Sequence, residues 1–477
     1  MWSLQPLPIG KEPVGCKFVL KKKIDSDGNV GEYKARLVAQ GFSQKFGIDF
    51  DETFCPVIRF ETVRTLLAFS NNNDMEIHHM DVCSAFLNGE LKEEVYMQQP
   101  EGYVVEGSEH LFCRLNKSIY GLKQAPKCWN TSLHDSLLQL GFLQSLSDSC
   151  LYSKFENGEL FLIAVYVDDL ILCCKNKMLL NDVKTMLSNK YEMKDLGPLR
   201  YFLGVEVSKN KNSLWLGQSI YTKSILQKFN MQECKSVKTP FDYTNKSVDN
   251  SEAFNSTIYK QAVGSLIYLS VRTRPDISFA VNRAAQKCEN PTEFDWSCVK
   301  RIFRYLKGTI DTGIVFTKGK EFHCRGFSDS DWAGDVETRK STSGFIFTIC
   351  GGPISWQSRK QKCIALSSAE AEFISLASCV QEALWLNSLL TLFSPDHGVI
   401  NINVDNQSAI QIAKNNQFHN KTKHVDIKLK FVRDSIDKNL IKLVYCPTEF
   451  MLADFLTKGL TYDKLNFLKA NVGILKY

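Results

Sequence analysis

The chain has no uninterrupted apolar run of the length needed to cross a bilayer, and Met1-Trp2-Ser3 does not open a signal peptide. It has no Cys-x-x-Cys pair and no Cys/His set at zinc spacing, although it carries 16 cysteines. That excludes a disulfide framework and a structural zinc module. In so long a chain the cysteines predict reduced, mostly buried thiols of an intracellular protein. No excess of one charge stands out either: 58 Lys and Arg against 52 Asp and Glu leave a formal charge of +6. Such a balance permits a polyanionic partner without demonstrating one. Present instead are 44% hydrophobic residues in 477, enough for about three ordinary domains with proper cores.

The stretch FLIAVYVDDLILCC, residues 161–174, organises the chain. Two short apolar runs rich in branched and aromatic residues predict strands covered on both faces. The polar break Val167-Asp168-Asp169 predicts a tight hairpin between them. Taken by itself, the break is better accounted for by a solvated Asp-Asp turn. Adjacent carboxylates at the tip of a buried hairpin repel each other unless cations neutralise them, which a hard oxygen-seeking ion such as Mg2+ does.

Elsewhere the patterns are coarser. Residues 15–40 predict a basic hairpin turning at Ser26-Asp27-Gly28-Asn29, with Lys21, Lys22, Lys23, Lys34 and Arg36 on it. This is either a charged edge or a lid of cations over phosphates. Arg59–Ser70 predicts a helix, and Glu76–Val82 a strand that ends near Asp81. His78-His79 beside that strand end is assigned no role. Gly121 and Pro126 flank Lys123 and Gln124 in a loop ahead of a helix through about Leu140. Leu196-Gly197-Pro198-Leu199 is expected to break into a strand pair, Tyr201–Val207 and LWLGQ. A polar linker over 236–257 and helices over 258–308 follow, with Lys300, Arg304 and Lys307 on one helix face. Asp311-Thr312-Gly313 matches a protease triplet, but no second triplet accompanies it.

From about Glu321 strands and helices mix. Phe322–Phe327, Gly344–Ile349, Ile354–Gln357, Ile400–Val404 and Ile441–Cys446 predict strands. Ser367–Leu389, Asn406–Lys414 and Lys423–Ile436 predict helices, and a final helix is expected from Thr448 through Leu456. If the strands ending at Asp81 and at the Asp168-Asp169 tip are neighbours, three carboxylates converge. A two-metal phosphoryl-transfer site needs that arrangement.

Tyr166-Val167-Asp168-Asp169, preceded by Asp81-Val82-Cys83-Ser84-Ala85-Phe86-Leu87, resembles the polymerase motifs of reverse transcriptases. The segments YKARLVAQGFSQ, LNKSIYGLKQAPKCW and SDSDWAGDVETRKSTSGF are similar to the Pol polyprotein of copia-type LTR retrotransposons, over nearly the whole chain. The resemblance implies an α+β and α/β chain: a right-hand polymerase of fingers, palm and thumb, then a ribonuclease H-like mixed-sheet domain. Its implied domains are 1–235 for fingers and palm, 236–320 for linker and helical thumb or connection, and 321–477 for the ribonuclease H-like part. The family's protease and integrase segments have no match here, and the chain is expected to enter within the polymerase, past the family's preceding helix.

The implied roles follow residue by residue. Asp81 and Asp168 would bind a catalytic Mg2+ pair, with Asp169 supporting and Mn2+ as a substitute. Phe86 would exclude ribonucleotides at the sugar 2′ position. Gly121, Lys123 and Pro126 would belong to the loop under template and incoming nucleotide, and either Lys34 or Arg36 would touch the triphosphate. Phe202-Leu203-Gly204 would form the primer-gripping hairpin. Asp329, Glu372, Asp405 and Asp454 would hold a second Mg2+ pair, with Asp331 and Glu370 as competing neighbours; His424 and Asp426 have no assigned role. The implied partners are RNA template, DNA primer, RNA–DNA hybrid and dNTPs, with other Pol or Gag products as further candidates and no membrane. The implied setting is a cytoplasmic virus-like particle or the nucleus. The rival reading is a catalytically idle or domesticated fragment that only grips nucleic acid.

Overall fold

The computed structural model describes every residue outside 25–29, 157, 243–251 and 415–422. The expected turn at Ser26-Asp27-Gly28-Asn29 and the side chains of His424 and Asp426 lie outside what is described. The chain forms two compact units. The first comprises Met1–Ile58 and Glu76–Pro198, the second Arg59–Met75 and Leu199–Tyr477.

The first unit is built on a six-stranded antiparallel sheet. Its central pair is Glu159–Tyr166 and Asp169–Cys174, the two halves of the organising stretch. Phe161 through Val165 and Leu170 through Cys174 are all buried. Burying each large aliphatic or aromatic side chain contributes about 1.5–3 kcal/mol, so this hairpin has no solvent-facing alternative. Glu76–Val82 pairs antiparallel with Asp169–Cys174 and places Asp81 directly opposite Asp169. On the far side of Glu76–Val82 runs Met193–Pro198, where a break was expected. Its register shifts between Asp195 and Gly197, and Pro198 sits at the end of an edge strand, where its missing donor costs no ladder bond. The helices Ala125–Gln139 and Lys177–Lys190 supply Trp129, Leu133, Leu137, Leu180, Val183 and Leu187 to the core of this sheet.

The second unit carries two five-stranded sheets. One is antiparallel and includes Tyr201–Phe202, Val205–Lys209, Ser213–Gly217, Thr312–Thr317 and Ile474–Lys476. The strand expected over Tyr201–Val207 is interrupted, because Leu203 and Gly204 both take positive φ (47° and 78°) in a two-residue hairpin. The Asp311-Thr312-Gly313 triplet is accounted for by packing: a Cβ on Gly313 would lie 2.2 Å from the Leu216 carbonyl.

The other sheet is mixed, in the order Gly352–Lys360, Thr342–Ile349, Arg325–Ser330, Ile400–Val404, Ile441–Tyr445. Its first three strands are antiparallel, and the last two run parallel to Arg325–Ser330. Across it lies the helix Ser368–Phe393, which at 26 residues is long and apolar enough to cross a membrane, contrary to the reading of the sequence. Most of its apolar residues from Ala371 to Phe393 are buried in this unit, with Leu384, Trp385 and Leu392 half-buried. The helix expected from Thr448 through Leu456 is absent. Two 3-10 turns, Thr448–Phe450 and Asp454–Leu456, stand in its place. Every residue from Met451 to Thr457 is buried, so the segment has no solvated face and lacks the helical alternation of polar and apolar sides. The helix comes later, at Tyr462–Asn471.

Two fully buried arginines brace this unit. Arg64 donates to the carbonyls of Ile354 (2.6 Å), Val271 and Arg272 (both 2.9 Å) and stacks 3.9 Å from the Trp356 ring centroid. Arg274 grips Asp276 with two 2.9 Å bonds, Tyr305 donates to Asp276 at 2.7 Å, and Lys469 donates to Tyr305 at 2.8 Å. Burial pushes the Asp276 carboxyl up, but Arg274 and Lys469 outweigh it and hold it well below the usual range. Removing one partner of such a buried pair leaves an uncompensated charge, at about 3–5 kcal/mol. Asp276→Asn should therefore lower the unfolding free energy by about 3 kcal/mol or more, read as a drop in the urea midpoint at unchanged slope.

Candidate active sites

In the first unit the fold brings Asp81, Asp168 and Asp169 to one end of neighbouring strands. Val167 leads the turn at φ 56°, a strained conformation for a β-branched residue that costs about 1–3 kcal/mol. Two contacts hold the turn there: Trp129 Nε1 donates to the Val167 carbonyl at 2.6 Å, and the Val82 amide to the Asp168 carbonyl at 2.8 Å. Burial, then Asp169 and Asp81, push the Asp168 carboxyl up, and the Arg36 guanidinium pulls it back. His79, to which the sequence assigned no role, contacts Asp169 Oδ1 through Nε2 at 2.7 Å. Its place two residues before Asp81, on the same face of the strand, was the available signal.

The other candidate residues of this unit are placed variously. Arg36 lies 4.9 Å over the Tyr120 ring, and Phe86 meets the same ring edge-on at 5.1 Å. Lys34 stands opposite Lys21 in the basic hairpin. Gly121 makes the close backbone approach expected of it, but to the chain itself: a Cβ there would lie 2.0 Å from the Ala39 carbonyl. Lys123 donates to the Gln44 carbonyl at 3.1 Å and sits 4.7 Å over the Phe50 ring. Pro126 opens the helix Ala125–Gln139, where a missing amide proton costs nothing. Phe202, Leu203 and Gly204 belong to the second unit, where Tyr268 donates to the Leu203 carbonyl at 2.5 Å.

The second unit gathers acids more tightly. Asp329 and Asp405 stand at the carboxyl ends of adjacent parallel strands, and Glu372 reaches them from the first turns of the crossing helix. One oxygen from each of Asp329, Glu372 and Asp405 lies within 4.8 Å of the others, the one acidic group drawn so close among the described residues. Ser375 pins the helix by donating to the Asp329 carbonyl at 2.8 Å, and the Ser330 amide donates to Glu372 Oε1 at 3.3 Å. Thr457 donates to the Asp329 carboxylate and Thr448 to that of Asp405, the latter at 2.9 Å. Asp454 is buried beside them, with Lys458 Nζ 2.9 Å from its Oδ1. Burial, then Asp329 and Asp405, push the Glu372 carboxyl up to about 10. Burial likewise raises Asp329 and Asp405. Asp331 turns instead to the Thr342 amide, and Glu370 accepts from the Leu366 amide at 3.0 Å as a cap of its helix.

These oxygens suit a divalent cation. Carboxylates are the donors a hard ion takes, and Glu372 Oε2 is buried with no hydrogen-bond partner among the described residues.

Residues 1–243 match the profile of the reverse transcriptase (RNA-dependent DNA polymerase) family. The chain belongs to this family. It is 40% identical over 484 residues to the retrovirus-related Pol polyprotein from transposon TNT 1-94 of Nicotiana tabacum, covering 99% of this chain and 36% of that protein. To the Pol polyprotein from transposon RE2 of Arabidopsis thaliana it is 39% identical over 480 residues, covering 100% of this chain and 33% of that one. The chain thus spans about a third of the length of these curated relatives. A foamy viral protease-reverse transcriptase solved in complex with RNA/DNA hybrid aligns over 90% of this chain and 51% of its own, with 13% identity and a TM-score of 0.48. The mixed helix-and-sheet architecture implied by the resemblance is the one observed.

The raised carboxyls carry a consequence for stability. Between the ordinary value near 4.5 and the folded value near 10, Glu372 holds a proton in the folded chain that it loses on unfolding. Stability then falls as pH rises through that window. Urea unfolding without divalent cations should show this decline, and Glu372→Gln should make it shallower; equal slopes in the two proteins would refute the assignment.

Proposed function

We propose that this reverse transcriptase family member copies RNA and DNA templates into DNA and cleaves the RNA strand of RNA–DNA hybrids, as part of retrotransposon replication. The observation that carries the first activity is Asp81 facing Asp169 across two paired strands, with Asp168 in the adjoining turn. The second activity rests on the triad of Asp329, Glu372 and Asp405. Mg2+, or Mn2+ in its place, would be held by Asp81 and Asp168 in one site and by Asp329, Glu372, Asp405 and Asp454 in the other. Bound there, such ions lower the pKa of an attacking oxygen and offset charge on the phosphate.

The chain's own residues do the rest. Asp168 is kept in place by the Trp129 and Val82 bonds, and His79 orients Asp169. Arg36, whose charge reaches Asp168, is the better placed of the two candidate cations to meet a dNTP triphosphate. Phe86, braced on Tyr120, presents the bulk that would exclude a ribose 2′-hydroxyl. In the polymerase step the primer 3′-hydroxyl attacks the α-phosphate and pyrophosphate leaves; in the nuclease step water attacks a phosphodiester of the RNA strand, one bridging P–O bond breaks, and its oxygen leaves as a hydroxyl. Partners under this reading are an RNA template, a DNA primer and their hybrid, with other Pol or Gag products, inside the cell in a virus-like particle or the nucleus.

Purified chain with a primed RNA template and Mg2+ tests both activities separately. Asp168→Asn should lower primer extension by about 100-fold or more, and Asp405→Asn should do the same to RNA cleavage while extension persists. Hybrid binding with steep salt dependence, and no extension or cleavage by the unaltered chain, would favour an idle nucleic-acid-gripping protein.

A further inference from the structure

Among the acids of the nuclease site, Lys458 closes to within 4 Å of Asp329 and Asp454 alone among the described residues, although its charge also reaches Glu372 and Asp405. One oxygen each of Asp329, Glu372 and Asp405 lies within 4.8 Å of the others, and Glu372 Oε2 has no hydrogen-bond partner among the described residues. Lys458, one turn past Asp454, sets its Nζ 2.9 Å from Asp454 Oδ1 and 3.7 Å from Asp329 Oδ2. Lys464 also approaches, 3.6 Å from Asp454 Oδ2. Yet Lys464 is tied down by the carbonyls of Glu449 at 2.8 Å and Thr448 at 3.1 Å. The Lys458 ammonium contacts carboxylates instead, at the end of a flexible four-carbon stem.

We propose that Lys458 is a tethered counter-ion, occupying the Asp329–Asp454 side of the nuclease site so that a divalent cation enters there only when this side chain withdraws. The inference rests on the nuclease reading of these acids. Mg2+ binds carboxylate oxygens at about 2.0–2.1 Å. An ammonium in contact with the same oxygens competes for their lone pairs and repels the ion. The two cation positions are therefore unequal. The Asp329–Glu372–Asp405 side fills first, and the Asp454 side fills against Lys458. Lys458 thus sets the metal concentration at which the site is complete, and it neutralises Asp454 when metal is scarce.

Calorimetric titration of the full chain with Mn2+, without nucleic acid, tests this. The chain carries Asp81→Asn and Asp168→Asn so that the polymerase acids contribute little. With Lys458 in place, one Mn2+ should bind tightly and a second at least about tenfold more weakly. Lys458→Met keeps the stem and removes the charge, and should tighten the second event about tenfold or more; Lys458→Arg should leave it weak. Lys458→Gln repeats the comparison should the Met variant fold poorly. Two binding events left unaltered by Lys458→Met and Lys458→Gln would overturn the counter-ion proposal and spare the nuclease reading. No Mn2+ binding by the Lys458 chain, with an isotherm unchanged by Asp405→Asn, would overturn both.

Discussion

Carboxylates crowded at the rim of an apolar sheet repel one another, and each unit of this chain spends packing energy to hold them there. In the first unit the strands behind the acids are buried along their length from Phe161 to Val165 and from Leu170 to Cys174. A one-residue slip would turn every side chain to the opposite face. The register that pairs Asp81 with Asp169 is thereby locked, and with it a turn that Val167 enters only under strain. In the second unit the same result comes from parallel strands whose carboxyl ends point to one place, with a buried helix laid across them. Neutral donors from Ser375, Thr448 and Thr457 then fix the acids without cancelling their charge.

The second unit also explains why a compact body need not be a continuous segment. Arg59–Met75 belongs to it although residues on both sides of that segment lie in the first unit. Arg64 is the reason in chemical terms. A buried guanidinium needs several acceptors, and this one finds carbonyls at Val271, Arg272 and Ile354, more than 200 positions away. The Arg274–Asp276–Tyr305–Lys469 chain does the same for the last helix. Buried charges of this kind are costly alone and acceptable only as complete networks.

Much of the site was legible in the residues. Apolar runs around Asp168-Asp169 announced the hairpin, and the Ser367 cap announced the helix that carries Glu372. Glu370 and Glu372 could not be separated by spacing alone; hydrogen bonding separates them, since Glu370 faces its own helix start and Glu372 faces Asp329. His79 was assigned no role because a histidine beside a strand end is usually packed or solvated, and only its partner distinguishes it. Thr448 to Leu456 misled because its second part, from Met451 on, is wholly buried and has no periodicity to betray its conformation.

What the amino-acid order decided by itself was local: which runs are apolar enough to become strands, which residues cap helices, and where acids fall at the ends of those elements. Short-range propensity and the alternation of side chains along a strand are sufficient for that. Only the tertiary structure decided which acids meet, which cation faces them, and that Gly121 and Gly313 serve close backbone packing. Most of those outcomes depend on contacts between residues far apart in the chain, as with Thr457 and Asp329, and no local pattern encodes a partner at that distance.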